Sequence, residues 1–283
     1  MVPHSHHLTV RAAAGGPPLS YWAFIPDAVP LGPPLAPPLV LIHGTARNTG
    51  RMFRAFLPMA VAHRMPVIIP RFPTEGFRGY QRLSGDAGPM AARRALDATL
   101  TDASEILGIR TARVLMCGFS GGAQFAHRYA MFDPKRITRL AVASAGHYTY
   151  LRASQPYPYG VASSALSAGE RPDVGGFLRL PIQVLAGGPD IGLTGDLRCG
   201  PPLNDAPGDT RLARALRWTD HLEEEASRHG LASRTSFDLL PGTAHSFSSA
   251  VHRGDLVARV LRFLLPADSD RCGAETTDSG KFS

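Results

Sequence analysis

Gly118-Phe119-Ser120-Gly121-Gly122 closes an apolar run, Val114-Leu115-Met116-Cys117, and opens a stretch of helical character over 121–132. Small residues on both sides of a serine at a strand-to-helix junction suit a sharp turn that lifts the hydroxyl above the sheet edge. The helix that follows aims amide hydrogens and its positive end at the same point. A serine hydroxyl is weakly acidic, so a nucleophile of this kind needs a base, and the base needs a group that orients it. Asp190 directly follows the expected strand 182–186, in Ala186-Gly187-Gly188-Pro189-Asp190. His245 follows the strand ending at Leu240, in Pro241-Gly242-Thr243-Ala244-His245-Ser246-Phe247. Asp196, Asp205 and Asp209 share the loop with Asp190 and are its rivals; capping the last helix is the plain alternative for His245.

These residues need a scaffold that brings loops from distant strands to one edge. Residues 7–12 and 19–25 read as strands around Gly15-Gly16-Pro17-Pro18, and the proline-rich stretch 26–38 reads as a surface loop. An unbroken apolar run follows at 39–42, and further strands are read at 67–69, 114–117, 139–144, 182–186 and 235–240. Helical patterns at 50–64, 88–107, 121–132, 210–229 and 250–265 alternate with them. Strands alternating with helices imply an α/β fold, a mostly parallel eight-stranded sheet with helices on both faces. Residues 147–179, rich in Tyr, Pro, Ser and Gly, follow the sixth strand as a small irregular, lid-like insertion. The expected organisation is one domain over 1–266 and a polar tail over 267–283.

With its serine turn, later aspartate and final histidine, and with His43-Gly44-Thr45-Ala46 after the third strand, the chain resembles the α/β-hydrolase superfamily over residues 8–266. Within it, the chain is similar to the compact esterases of the dienelactone-hydrolase, polyhydroxyalkanoate-depolymerase and feruloyl-esterase kind. The resemblance implies Ser120 as nucleophile, His245 as general base and then acid, and Asp190 as orienting acid. It also implies an oxyanion hole from the amides of Gly121 and Thr45, with Ala46 as the alternative donor. The implied reaction is hydrolysis of a small-molecule carboxylic ester through an acyl-enzyme, with no cofactor and no metal. Peptidase, thioesterase or acyltransferase chemistry on the same residues, and a non-catalytic binding protein, are the competing readings.

Composition narrows the partners. The net charge is +7, yet the basic residues are spread along the chain and no finger, RRM or KH pattern occurs, so nucleic acid is not expected as a partner. No apolar run approaches the roughly 20 residues that span a bilayer. Neither a membrane association nor a signal peptide is therefore expected, and the expectation is a cytoplasmic protein. Cys117, Cys199 and Cys272 are far apart, without metal-ligand spacing, and Cys117 reads as a small buried strand residue. His43 reads as a structural support of its loop. For the substrate, Arg71, which ends the strand 67–69, is a candidate to meet a carboxylate together with Arg47 or Arg78. His147 and Tyr148 are candidates to line the pocket, with Tyr150, Tyr157 and Tyr159 further along the same segment.

Overall fold

The computed structural model describes residues 5–10, 19–26, 37–162, 169–188 and 210–266. They contain an eight-stranded sheet in the order β1-β2-β4-β3-β5-β6-β7-β8. The strands are β1 (Ser5–Val10), β2 (Leu19–Phe24), β3 (Leu39–Ile42), β4 (Val67–Arg71), β5 (Val114–Phe119), β6 (Ile137–Ala143), β7 (Ile182–Gly187) and β8 (Thr235–Leu240). β1 and β2 are antiparallel, as are β2 and β4; every pairing from β4 to β8 is parallel. The helices are α1 (Thr49–Ala62), the single turn α2 (Thr74–Phe77), α3 (Ala91–Leu107), α4 (Gly121–Phe132), α5 (Val174–Leu178), α6 (Arg211–Arg228), α7 (Phe247–His252) and α8 (Leu256–Leu264). This is the α/β-hydrolase fold.

The unbroken apolar runs are explained by the two cores they feed. In a strand, neighbouring side chains point to opposite faces. Val40, Met116, Leu140 and Val184 enter one core, with α3, α4 and α6. Leu39, Leu115, Ala141 and Leu185 enter the other, beneath α1 and α8. β5 and β7 are buried along their whole length because both faces are covered, whereas β8, at the sheet edge, is largely half-exposed.

The chain order reverses beside the site. β3 is followed by β4 on one side, and the chain then crosses back to place β5 on the other. At such a switch the loops leaving neighbouring strands diverge and open a crevice at their carboxyl ends. The loop after β3 and the serine turn after β5 flank that opening.

Several boundaries shift by one or two residues, and two helical ones differ more from the sequence expectation. The last helical stretch is two helices, broken around Gly254-Asp255, with Asp255 in the left-handed region at φ 53°. A Cβ on Gly254 would lie 2.7 Å from Thr243 Cγ2, so the break lets the chain pass close to the loop after β8. The helix expected from residue 88 begins at Ala91, after Met90 at φ 59°. Among the described residues, no helix is long and apolar enough to cross a membrane.

Candidate active site

Ser120 sits at φ 55° and ψ −116°, a conformation that L-residues rarely adopt. Its neighbours must be glycine because the turn is crowded by backbone. A Cβ on Gly118 would lie 2.2 Å from the carbonyl oxygen of Gly122. One on Gly122 would lie 2.0 Å from that of Ile42 and 2.5 Å from that of His43. The glycines therefore do two things at once: they permit the turn, and they let α4 press against β3. The Ser120 amide donates to Ala143 O at 2.8 Å, which ties the turn to the end of β6.

His245 arrives on the loop after β8 and places Nε2 3.0 Å from Ser120 Oγ. Gly242 turns that loop at φ 63°, and Thr243 Oγ1 donates back to Leu240 O at 3.0 Å. The ring of His245 stacks on Phe119, with centroids 5.7 Å apart and planes at 16°. Capping of α7 falls to Ser246, whose side chain accepts from the Ser249 amide. The β7 chain leaves its strand against this same loop. A Cβ on Gly187 would meet Thr243 O at 2.1 Å, and the Gly188 amide lies 3.4 Å from Leu240 O. Asp190, two residues further on, lies outside the described residues, as do Asp196, Asp205 and Asp209.

The loop after β3 is fixed from below by His43, which is 1% exposed. His43 Nε2 accepts from the Phe72 amide at 3.0 Å, so the proton resides on Nδ1, which donates to Gly44 O at 2.8 Å. Burial pushes the ring's pKa down from 6.5 to about 4, keeping it neutral. The Tyr80 hydroxyl donates to His43 O at 2.8 Å. Arg47, at φ 55°, donates through Nε to Phe72 O at 2.8 Å and through Nη1 to Thr45 O at 2.9 Å. These bonds set the peptide planes around Thr45 and Ala46. Gly121 lies directly against them: a Cβ there would be 2.8 Å from Thr45 Cγ2 and 3.3 Å from the Thr45 amide nitrogen. Gly121 and Thr45 are thus neighbours on the β3 side of Ser120.

On the other side stands the loop after β6. From Ser144 to Leu151 all residues are buried except His147. Tyr148 is 3% exposed and stacks on Trp218 at 4.7 Å, beside His127, so it belongs to the core and not to the opening. Tyr159, which spacing gave no reason to prefer, meets His147 edge-on at 5.9 Å and is half-buried. Arg214 donates to Gly146 O at 2.8 Å and approaches His147 Nδ1 at 3.2 Å. Burial, followed by the charge of Arg214, pushes the His147 pKa down to about 4. Arg71 is exposed at the end of β4, and its side chain makes no hydrogen bond or ion pair among the described residues. Arg47 is committed to the loop it supports, and Arg78 is exposed. No group of three or more His, Cys, Asp or Glu side chains among the described residues is placed to hold a metal ion.

No family model matches the sequence, and no curated protein matches it. Solved structures do. Poly(aspartic acid) hydrolase-1 from Sphingomonas sp. KT-1 superposes with a TM-score of 0.75 at 23% identity, over 91% of this chain and 100% of that one. LpqC, a poly(3-hydroxybutyrate) depolymerase from Bordetella parapertussis, superposes with a TM-score of 0.70 at 20% identity, over 92% and 94%. An S-formylglutathione hydrolase from Agrobacterium tumefaciens reaches 0.59 at 13% identity, over 92% and 95%. At these identities the likeness establishes the α/β-hydrolase fold; the neighbours that share it are hydrolases.

Proposed function

We propose that this protein is a serine hydrolase that cleaves carboxylic esters through Ser120, His245 and Asp190. The observation that carries the reading is the 3.0 Å approach of His245 Nε2 to a serine oxygen held on a strained turn. Ser120 Oγ attacks the ester carbonyl while its proton passes to His245 Nε2. The oxyanion that forms is met by the amides of Gly121 and Thr45, at the start of α4 and in the braced loop after β3. His245 then returns the proton to the departing alkoxide, which leaves as the alcohol, and the acyl group stays on Ser120. Water, deprotonated by the same ring, releases the acid and restores the serine. Asp190 is assigned to the Nδ1 side of His245. What supports this is the crowded approach of Gly187 and Gly188 to the His245 loop, two residues before the aspartate.

Incubation with a fluorophosphonate should shift the intact mass by one adduct, and Ser120→Ala should abolish the shift along with turnover of p-nitrophenyl acetate. A wild-type protein that takes no label, or a Ser120→Ala variant that labels equally, overturns the reading. A panel of thioesters, peptides and alternative acyl acceptors separates ester hydrolysis from thioesterase, peptidase and acyltransferase chemistry.

A second reading concerns substrate charge. The exposed Arg71 at the β4 end, whose side chain is unpaired among the described residues, favours an ester or polymer carrying carboxylates. A fold neighbour named for poly(aspartic acid) supports the same direction. Arg71→Ala should lower the preference for anionic over neutral esters; an unchanged preference eliminates this role.

A further inference from the structure

Helix α4 begins at the nucleophile, and apart from Gln124 every one of its residues is buried. Two turns in, it carries His127 and Arg128, polar side chains with nothing to do at Ser120 itself. Both are turned to the loop after β6. His127 Nε2 accepts from the Thr149 amide at 3.1 Å, and its Nδ1 lies 2.8 Å from Ala123 O. Arg128 Nε donates to Thr149 Oγ1 at 2.9 Å, and its other nitrogens reach Gln81 O, Gln124 Oε1 and Pro158 O. The Thr149 hydroxyl donates to Pro158 O at 2.6 Å. From α6, Trp218 Nε1 donates to Thr149 O at 2.9 Å, and His221 Nε2 accepts from the Leu151 amide at 2.9 Å. Thr149 is thereby bonded at its amide, its carbonyl and its hydroxyl, all to side chains from the two helices behind it or to the Pro158 carbonyl.

This junction has a geometric consequence. It pulls Tyr148 inward against Trp218, and it brings the 157–159 turn over the strand end, where the Tyr150 amide donates to Tyr159 O at 2.8 Å. Between Ser144 and Leu151 the junction leaves only His147 less than fully buried, with Tyr159 set edge-on to it. The segment that holds this pair starts from the end of β6, where Ala143 O accepts from the Ser120 amide. We propose that His147 and Tyr159 form the specificity wall of the ester site, gripping an apolar or aromatic substituent of the substrate, and that Thr149, locked to Arg128, is the positioning residue that holds this wall at its distance from Ser120. The proposal rests on the serine-hydrolase reading. Arg214 and the buried surroundings keep the His147 ring neutral, which suits an apolar substituent rather than a charged one.

The test compares kcat/KM for p-nitrophenyl acetate with p-nitrophenyl octanoate, which lengthens the acyl side, and for ethyl acetate with octyl acetate, which lengthens the alcohol side. Removing the wall should cost the long esters more than the short ones, and fluorophosphonate labelling reports whether Ser120 still reacts. In Tyr159→Ala the long-to-short ratio should fall at least about tenfold in one of the two series, the range that separates apolar groups differing by a few methylenes. Tyr159→Leu keeps volume without the ring and should show a smaller fall in the same series. Thr149→Val should lower the same ratio, while Thr149→Ser, which retains the hydroxyl, should restore it; a purely structural loss would lower long and short esters alike. Ratios unmoved in both series for Tyr159→Ala and Tyr159→Leu, or equal losses on all esters, overturn the wall. A wild-type protein inert to every ester and to the label overturns the wall together with the hydrolase reading beneath it.

Discussion

Replacing His43 by Gln tests the claim that a neutral, buried histidine braces the oxyanion loop. In the native protein the ring takes a proton only near pH 4, because burial penalises the charge; in the unfolded chain it does so near 6.5. Below pH 6.5 the unfolded state therefore binds more protons than the native state, and the ring's contribution to stability is lost as pH falls toward 4. Integrating between pH 7.5 and pH 5 gives a loss of about 2 kcal/mol from this ring alone. Glutamine can still accept from the Phe72 amide but cannot titrate, so His43→Gln should be less stable than wild type at pH 7.5 and lose less on acidification. Urea unfolding of both proteins at the two pH values measures the difference directly. Other depressed histidines, His127, His147 and His221, contribute equally to both proteins and cancel. If wild type and His43→Gln lose the same stability between pH 7.5 and 5, the ring is not held neutral by burial and the account of the loop is wrong.

Further substitutions, with their controls, probe the site and its turn. Gly121→Ala would press a methyl to within 2.8 Å of Thr45 Cγ2 and the Tyr80 hydroxyl, displacing the loop, and should cut kcat for p-nitrophenyl acetate by roughly 10²–10³, the range for a lost oxyanion donor. Gly122→Ala meets the carbonyl oxygens of β3 and should destabilise the fold by at least about 3 kcal/mol in urea, whereas Gly50→Ala, facing only Arg54 at 3.7 Å, should be neutral or stabilising. Asp190→Asn should lower kcat by roughly 10³–10⁴ with the fold intact, and Asp196→Asn should leave kcat unchanged; the reverse result moves the orienting role to Asp196.

The strands were legible because their burial on both faces leaves a mark that survives without any contact information. Val114-Leu115-Met116-Cys117 is apolar at every position, and the structure divides it residue by residue between two cores. The juxtaposition of Ser120 and His245, 3.0 Å apart, could be anticipated for a related reason: each follows a strand, and strand ends can be found from the sequence pattern. The inward turn of Tyr148 was not legible. In an irregular segment no period of 2 or 3.6 assigns a face, so the preference for Tyr148 over the other three tyrosines had only its place next to His147 behind it, and the bonds that hold Thr149 turn it inward. The break at Gly254-Asp255 did leave a signal, a glycine inside a helical pattern, but its cause is the close approach of Thr243, which lies on another loop.

Arg128 shows why the remainder of the site escapes a reading by pattern. It is 1% exposed, and among the described residues its hydrogen bonds reach no carboxylate; a threonine hydroxyl, an amide oxygen and two backbone carbonyls receive them. Burial pushes its pKa down to about 10, so it stays charged at neutral pH. A buried cation is expensive, and replacing one by an apolar residue is often neutral or stabilising for a fold. Five fixed donors in one plane do, however, define directions that an apolar side chain does not. Those directions join the nucleophile's helix to the loops after β4 and β6, which flank Ser120 on opposite sides. The residue is thus better accounted for by the geometry it imposes on the walls of the site than by any stability it lends to the core.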